Sequence, residues 1–112
     1  MTRRLSVHPT HPQMRLLRHA AEIINHDGVA IYPTDSTYAL GCTLRARTAQ
    51  TRIHQIRGET ESHFLTLICR DLSQLATYAR VDNQQYRLLR ALTPGPYTFI
   101  LRASRELPKR IL

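Results

Sequence analysis

The chain has 112 residues, 42% of them apolar, which fits one domain or a piece of one and excludes both a second independent core and wholesale disorder. Lys and Arg outnumber Asp and Glu by 16 to 8, and the net charge of +8 favours polyanionic partners. No apolar run approaches the roughly 18 residues of a membrane span, and Arg3 and Arg4, followed by prolines and histidines, do not make a signal peptide. With Cys42 and Cys69 as the only cysteines, a reduced, cytoplasmic setting is expected. Lys109 is the sole lysine; an arginine skew of this kind also follows from codon composition, so charge alone does not decide the partner.

From Pro12 to Asp27, the residues Met14, Leu16, Leu17, Ala20, Ala21, Ile23 and Ile24 form one apolar stripe at helical spacing. Pro12 suits the first turn and Gly28 the end. Val29 to Tyr32 is a short β-prone run that stops at Pro33, and Tyr38 to Leu44 is a second. Thr48 to Ile56 carries Ala49, Ile53 and Ile56 on one helical face, and the polar stretch from Glu59 to His63 after Gly58 reads as a loop. Phe64 to Cys69 reads as a buried strand. Asp71 suits the N-cap of a helix through Ala79, and Asp82 that of another through Leu92. Thr93-Pro94-Gly95-Pro96 cannot continue a helix and sets a tight turn before β character resumes at Tyr97 to Leu101. The alternation predicts one three-layer α/β unit without repeats or linkers, in which no helix after Ser104 covers one side of the sheet; pairing of two copies would cover it.

Chemistry concentrates in Tyr32-Pro33-Thr34-Asp35-Ser36-Thr37-Tyr38-Ala39-Leu40-Gly41, where hydroxyls and one carboxylate follow a strand. Such a turn suits a polar small-molecule site, and it equally suits a turn that satisfies its own backbone. There is no phosphate-loop or dinucleotide glycine pattern and no cysteine pair at zinc spacing. His8 and His11 would need two further ligands to hold a metal, so no metal site is expected. Both cysteines fall within predicted strands and read as small buried residues rather than nucleophiles, since no nearby motif would lower a thiol pKa.

Residues 32–41 match, position by position, a motif close to Y-P-T-[DE]-[TS]-x-Y-[GA]-L-G, and Leu92 to Leu101 matches L-x-P-G-P-x-T-F-I-L. On these motifs the chain resembles the YrdC/YciO family, and the stretch Phe64 to Ser73 is most similar to its YciO branch. The resemblance implies a YrdC-like three-layer twisted mixed sheet with flanking helices around a basic cavity. It also implies a threonylcarbamoyl-adenylate synthase activity of nucleotidyltransferase type, joining L-threonine, bicarbonate and ATP with release of pyrophosphate, at the start of tRNA threonylcarbamoyladenosine modification. ATP would be a substrate, with Mg2+ as its counter-ion, and no tightly bound cofactor is implied. The implied macromolecular partner is double-stranded RNA or tRNA, with no membrane.

By the same resemblance Thr34 and Tyr38 would line the threonine and adenylate site and Thr98 would contact threonine. Arg57, His63 and Thr66 would face the nucleotide. The family's K-x-R pair is replaced here by Arg57, Gly58 and Glu59, and Glu59 would repel a polyphosphate. The family's later S-x-N motif has no counterpart before Leu112, so the resemblance is to an N-terminal portion. A non-catalytic RNA-binding module and an inactive truncated product are the alternatives.

Overall fold

The computed structural model describes residues 2–60 and 64–111. The chain divides into two compact units, residues 1–60 and 61–112. The α/β alternation expected from the sequence is present, and the strands pair as two short antiparallel ladders, one in each unit.

In the first unit, helix α1 spans Met14–Asn25, two residues inside the predicted range at each end. It ends in a double closure: the Asp27 N–H reaches the Ile24 carbonyl at 3.1 Å and the Gly28 N–H reaches that of Ile23 at 2.9 Å. The left-handed residue of this closure is Asp27, at φ 64°, whereas Gly28 was expected to end the helix. Asp tolerates that conformation better than most side chains do. Strands β1 (Ala30–Pro33) and β2 (Tyr38–Gly41) form a hairpin with Ala30 opposite Gly41 and Pro33 opposite Tyr38. The second predicted strand thus stops at Gly41, short of Leu44.

Helix α2 (Arg47–Arg57) supplies most of the buried residues of this unit. Ala49, Gln50, Ile53 and His54 are buried along it, with Ala46 at its N-cap. The spacing argument placed Ile56 on the same face, yet Ile56 is 56% exposed. The buried arc turns toward Gln50 and His54, which leaves Ile56 beyond its edge. Gln50 satisfies its buried amide by donating to the carbonyls of Leu44 at 2.8 Å and Thr43 at 3.4 Å, which fastens the β2–α2 connection to the helix. Gly58, left-handed at φ 70°, stops the helix.

In the second unit, α3 (Leu72–Tyr78) and α4 (Asn83–Leu92) start at the two predicted caps. The Asp71 carboxylate accepts from the Gln74 N–H at 2.8 Å. Asp82 and Gln85 form a reciprocal capping box, at 2.7 and 3.0 Å. Between the helices, β3 (Ala79–Arg80) pairs with β4 (Arg102–Ala103), and a 3-10 turn spans Lys109–Ile111. Two strand expectations are corrected here. Phe64 to Cys69 and Tyr97 to Leu101 form no ladder among the described residues. Phe64 to Cys69 keeps the strand-like alternation of exposed and half-buried side chains, but a strand is defined by a hydrogen-bonded neighbour as well as by its own pattern.

Candidate functional site

Thr34 opens the 34–37 turn of the hairpin and spends its polar groups on it. Its hydroxyl donates to the Thr37 carbonyl at 2.5 Å and accepts from the N–H groups of Thr37 at 3.1 Å and Ser36 at 3.3 Å. Its own N–H donates to the same Thr37 carbonyl at 2.8 Å. The turn is therefore built by one side chain acting as a surrogate for backbone, the arrangement typical of Ser and Thr turns. Asp35, Ser36, Thr37 and Tyr38 are all exposed, Tyr38 by 71%. This edge of the hairpin thus presents a carboxylate, two aliphatic hydroxyls and a phenol within four consecutive residues, donors and acceptors suited to a small zwitterion.

Arg57 lies in the same unit at the end of α2. After the left-handed turn at Gly58, Glu59 folds back: its N–H reaches the His54 carbonyl at 2.9 Å and its carboxylate takes the Arg57 Nε at 2.7 Å. The other carboxylate oxygen lies 3.7 Å from His54 Nδ1, a buried atom without a hydrogen-bond partner among the described residues. Glu59 therefore offsets the Arg57 charge directly, where the sequence suggested a carboxylate turned toward a ligand. His54 was missed by sequence reasoning. Its signal is its position one residue after the buried Ile53 and five before a carboxylate that follows a helix-ending glycine.

Thr66 and Thr98 belong to the second unit, and both are exposed. Thr66 lies between the half-buried Leu65 and Leu67. Thr98 follows the Thr93–Gly95 turn, where the Thr93–Pro94 peptide is cis and the Gly95 N–Cα–C unit packs so tightly that a Cβ there would collide with the Leu92 carbonyl. The rings of Tyr97 and Phe99 flank Thr98 with centroids 6.2 Å apart. His63 lies outside the described residues. The structure thus brings Thr34 and Tyr38 together on one hairpin and places Arg57 in the same unit, with Thr66 and Thr98 in the other.

Both cysteines have raised thiol pKa values. Burial, then the Asp27 carboxylate, pushes Cys42 up; burial, then Asp71, does the same at Cys69. Neither is in a strand, but both are half-buried and disfavoured as thiolates. No group of three metal-ligating side chains occurs among the described residues. His8 Nδ1 is occupied by the N–H groups of Thr10 and His11. No helix of the described residues is long and apolar enough to cross a membrane.

Helices alternating with two short antiparallel ladders, and a hydroxyl-rich turn closing the β1–β2 hairpin, make this a mixed α/β protein. The family model Sua5/YciO/YrdC, described as telomere recombination, matches residues 22–112, and the chain belongs to that family. YciO of Escherichia coli K12 is 51% identical over 106 residues, covering 95% of this chain and 52% of that protein. The crystal structure of E. coli YciO superposes with a TM-score of 0.88. The threonylcarbamoyl-AMP synthase of Halorhodospira halophila is 36% identical over 94 residues, covering 83% of this chain and 49% of that enzyme. A doubly substituted Sua5 from P. abyssi superposes with a TM-score of 0.83 at 25% identity, covering 91% of this chain and 32% of Sua5. The chain spans about half the length of the curated relatives it matches.

Proposed function

We propose that the chain carries part of a threonylcarbamoyl-AMP synthase-like site, with the hairpin edge receiving threonine and adenylate and the basic surface receiving RNA. Tyr38 and the 34–37 turn hold the amino acid, Thr98 contributes a further hydroxyl, and Arg57, His63 and Thr66 serve the triphosphate of ATP. The carrying observation is the hairpin: four consecutive exposed polar side chains, Asp35 to Tyr38, in a chain 36% identical to a threonylcarbamoyl-AMP synthase. Hydroxyls orient a carboxylate and an ammonium, while cations offset the charge that develops on a cleaving triphosphate.

The test is pyrophosphate release from ATP in the presence of threonine and bicarbonate. Release that requires both co-substrates, and that falls in Tyr38→Phe, is the expected result; ATP left intact in the presence of both would reject catalysis.

One observation favours a second reading, a binding module without catalysis: the Glu59 carboxylate pairs with Arg57, the cation that this proposal assigns to the nucleotide. Glu59→Gln should then tighten ATP binding, by up to about fivefold, since an exposed pair is worth no more than about 1 kcal/mol. Unchanged ATP affinity in that variant would show that Arg57 does not face the nucleotide.

A further inference from the structure

The first unit contains a groove of about 420 Å³ between the N-terminal arm and α1, lined by the half-buried Leu5 and Leu16 and by the exposed Arg3, Arg15, Arg18 and Glu22. We propose that this groove is a docking site for an acidic peptide segment of a partner protein, laid beside the arm with an aliphatic side chain between two carboxylates. The inference goes beyond the nucleotide and RNA chemistry proposed above and does not depend on it.

The helix supplies one wall by spacing. Arg15, Arg18 and Glu22 fall at i, i+3 and i+7, on one face of α1, and Leu16 borders that face. The arm supplies the other wall with Arg3 and Leu5. Arg3 Nη1 lies 2.9 Å from His19 Nε2, and because a guanidinium can only donate, Nε2 accepts and the His19 proton resides on Nδ1. This bond ties the arm to the helix, so the cationic and apolar groups line one cavity.

Three features select the occupant. The first is charge: among the described residues no carboxylate lies within 4 Å of Arg3, Arg15 or Arg18, although ion pairs form elsewhere in the chain. Arg15 also stands in the first turn of α1, where the helix dipole disfavours a cation, so helix stability does not account for it and a ligand carboxylate does. The second is the pair of leucines, which gain from an aliphatic side chain set between the carboxylates; a phosphodiester backbone carries none. The third is the arm itself. Residues 2–7 form neither helix nor ladder, and their backbone enters no backbone–backbone hydrogen bond among the described residues. Such a stretch can pair with a second polypeptide strand, main-chain bonds supplying affinity and side-chain contacts specificity. From Arg15 to Glu22 the helix face extends about 10 Å, the length of about three residues of extended peptide. Glu22 repels a further carboxylate at its end, which places the acidic positions toward Arg15 and Arg18.

The experiment follows the fluorescence anisotropy of a labelled peptide of alternating glutamate and leucine, titrated with the full chain. Saturable binding is expected, weakened about tenfold in the double variant Arg15→Gln, Arg18→Gln and about fivefold in Leu5→Ser. A peptide with serine in place of leucine should likewise bind about fivefold more weakly, which charge attraction alone does not produce. In parallel, phenylglyoxal modification of the unsubstituted chain, read by mass spectrometry, reports the groove without any substitution. The peptide should protect Arg15 and Arg18 and leave Arg87, on α4, reactive. Equal binding of the serine peptide, equal affinity in a folded double variant, uniform protection of all three arginines, or stronger protection of Arg15 and Arg18 by an RNA duplex than by the peptide each overturns the proposal. Should a variant fail to fold, the protection pattern decides.

Discussion

The two units hide their apolar side chains very differently. The first buries Ala46, Ala49 and Ile53, with Gln50 and His54 beside them. In the second, Leu89 is the buried hydrophobic residue among those described, while Phe64 is 83%, Ile68 67%, Tyr97 56% and Ile100 98% exposed. The contrast follows from how helices and strands close. A helix satisfies its backbone internally and needs only a surface to lie on, whereas an extended segment needs neighbours for both its backbone and its side chains. The first unit draws its interior from α2; the second carries two extended stretches with no ladder partner among the described residues.

The sharpest way to break that comparison is truncation. Ile53→Ala should cost about 2–5 kcal/mol in urea unfolding of the full chain, the range for emptying a packed aliphatic site, and Leu89→Ala should approach the same range. Ile100→Ala should stay within about 0.5 kcal/mol. A cost at Ile100 comparable to that at Ile53 would mean that the exposed stretch is covered in solution. Next in size, Asp82→Ala removes the capping box of α4 and should cost about 1 kcal/mol, with Asp82→Asn largely retaining it; no loss on Asp82→Ala would show that α4 is held by its packing alone.

Smaller effects sharpen the contrast by pH. Both thiols are raised, so at neutral pH Cys42 and Cys69 should react with a disulfide reagent more slowly than a free cysteine does, accelerating only above the ordinary thiol range. Fast labelling at pH 7 at Cys69 alone would mark the second unit as opening locally. The Asp71 carboxyl is held below the usual range by the Gln74 N–H, then by Arg70. A group lowered in the folded state contributes stability above its unfolded pKa, and that contribution disappears as pH falls through the folded value. Asp71→Asn should therefore flatten the acid side of the stability profile slightly, and an unchanged profile would remove Asp71 from it.

Helix-borne features were the most legible in the sequence. The apolar stripe of α1 and the caps at Asp71 and Asp82 depend on neighbours within four residues, and each occurs where the pattern put it. The hairpin was readable from Pro33 and the hydroxyl-rich turn, because turn chemistry is also local. Phe64–Cys69 and Tyr97–Leu101 were over-read, since β propensity describes a segment and says nothing of its partner. At the candidate site, Thr34 and Tyr38 could be singled out by motif. That Thr34 uses its hydroxyl to close the turn, and that Glu59 returns to Arg57 beneath a left-handed glycine, depend on backbone direction that composition does not encode.

The Thr34 hydroxyl clasps both shoulders of the hairpin at once. Any occupant that recruits this oxygen must first unfasten it, so ligand engagement and loosening of the hairpin turn become a single event. Amide exchange at Ser36 and Thr37 would then serve as a built-in reporter of occupancy, quickening when the oxygen is drawn away and staying slow when the guest relies on the tyrosine alone.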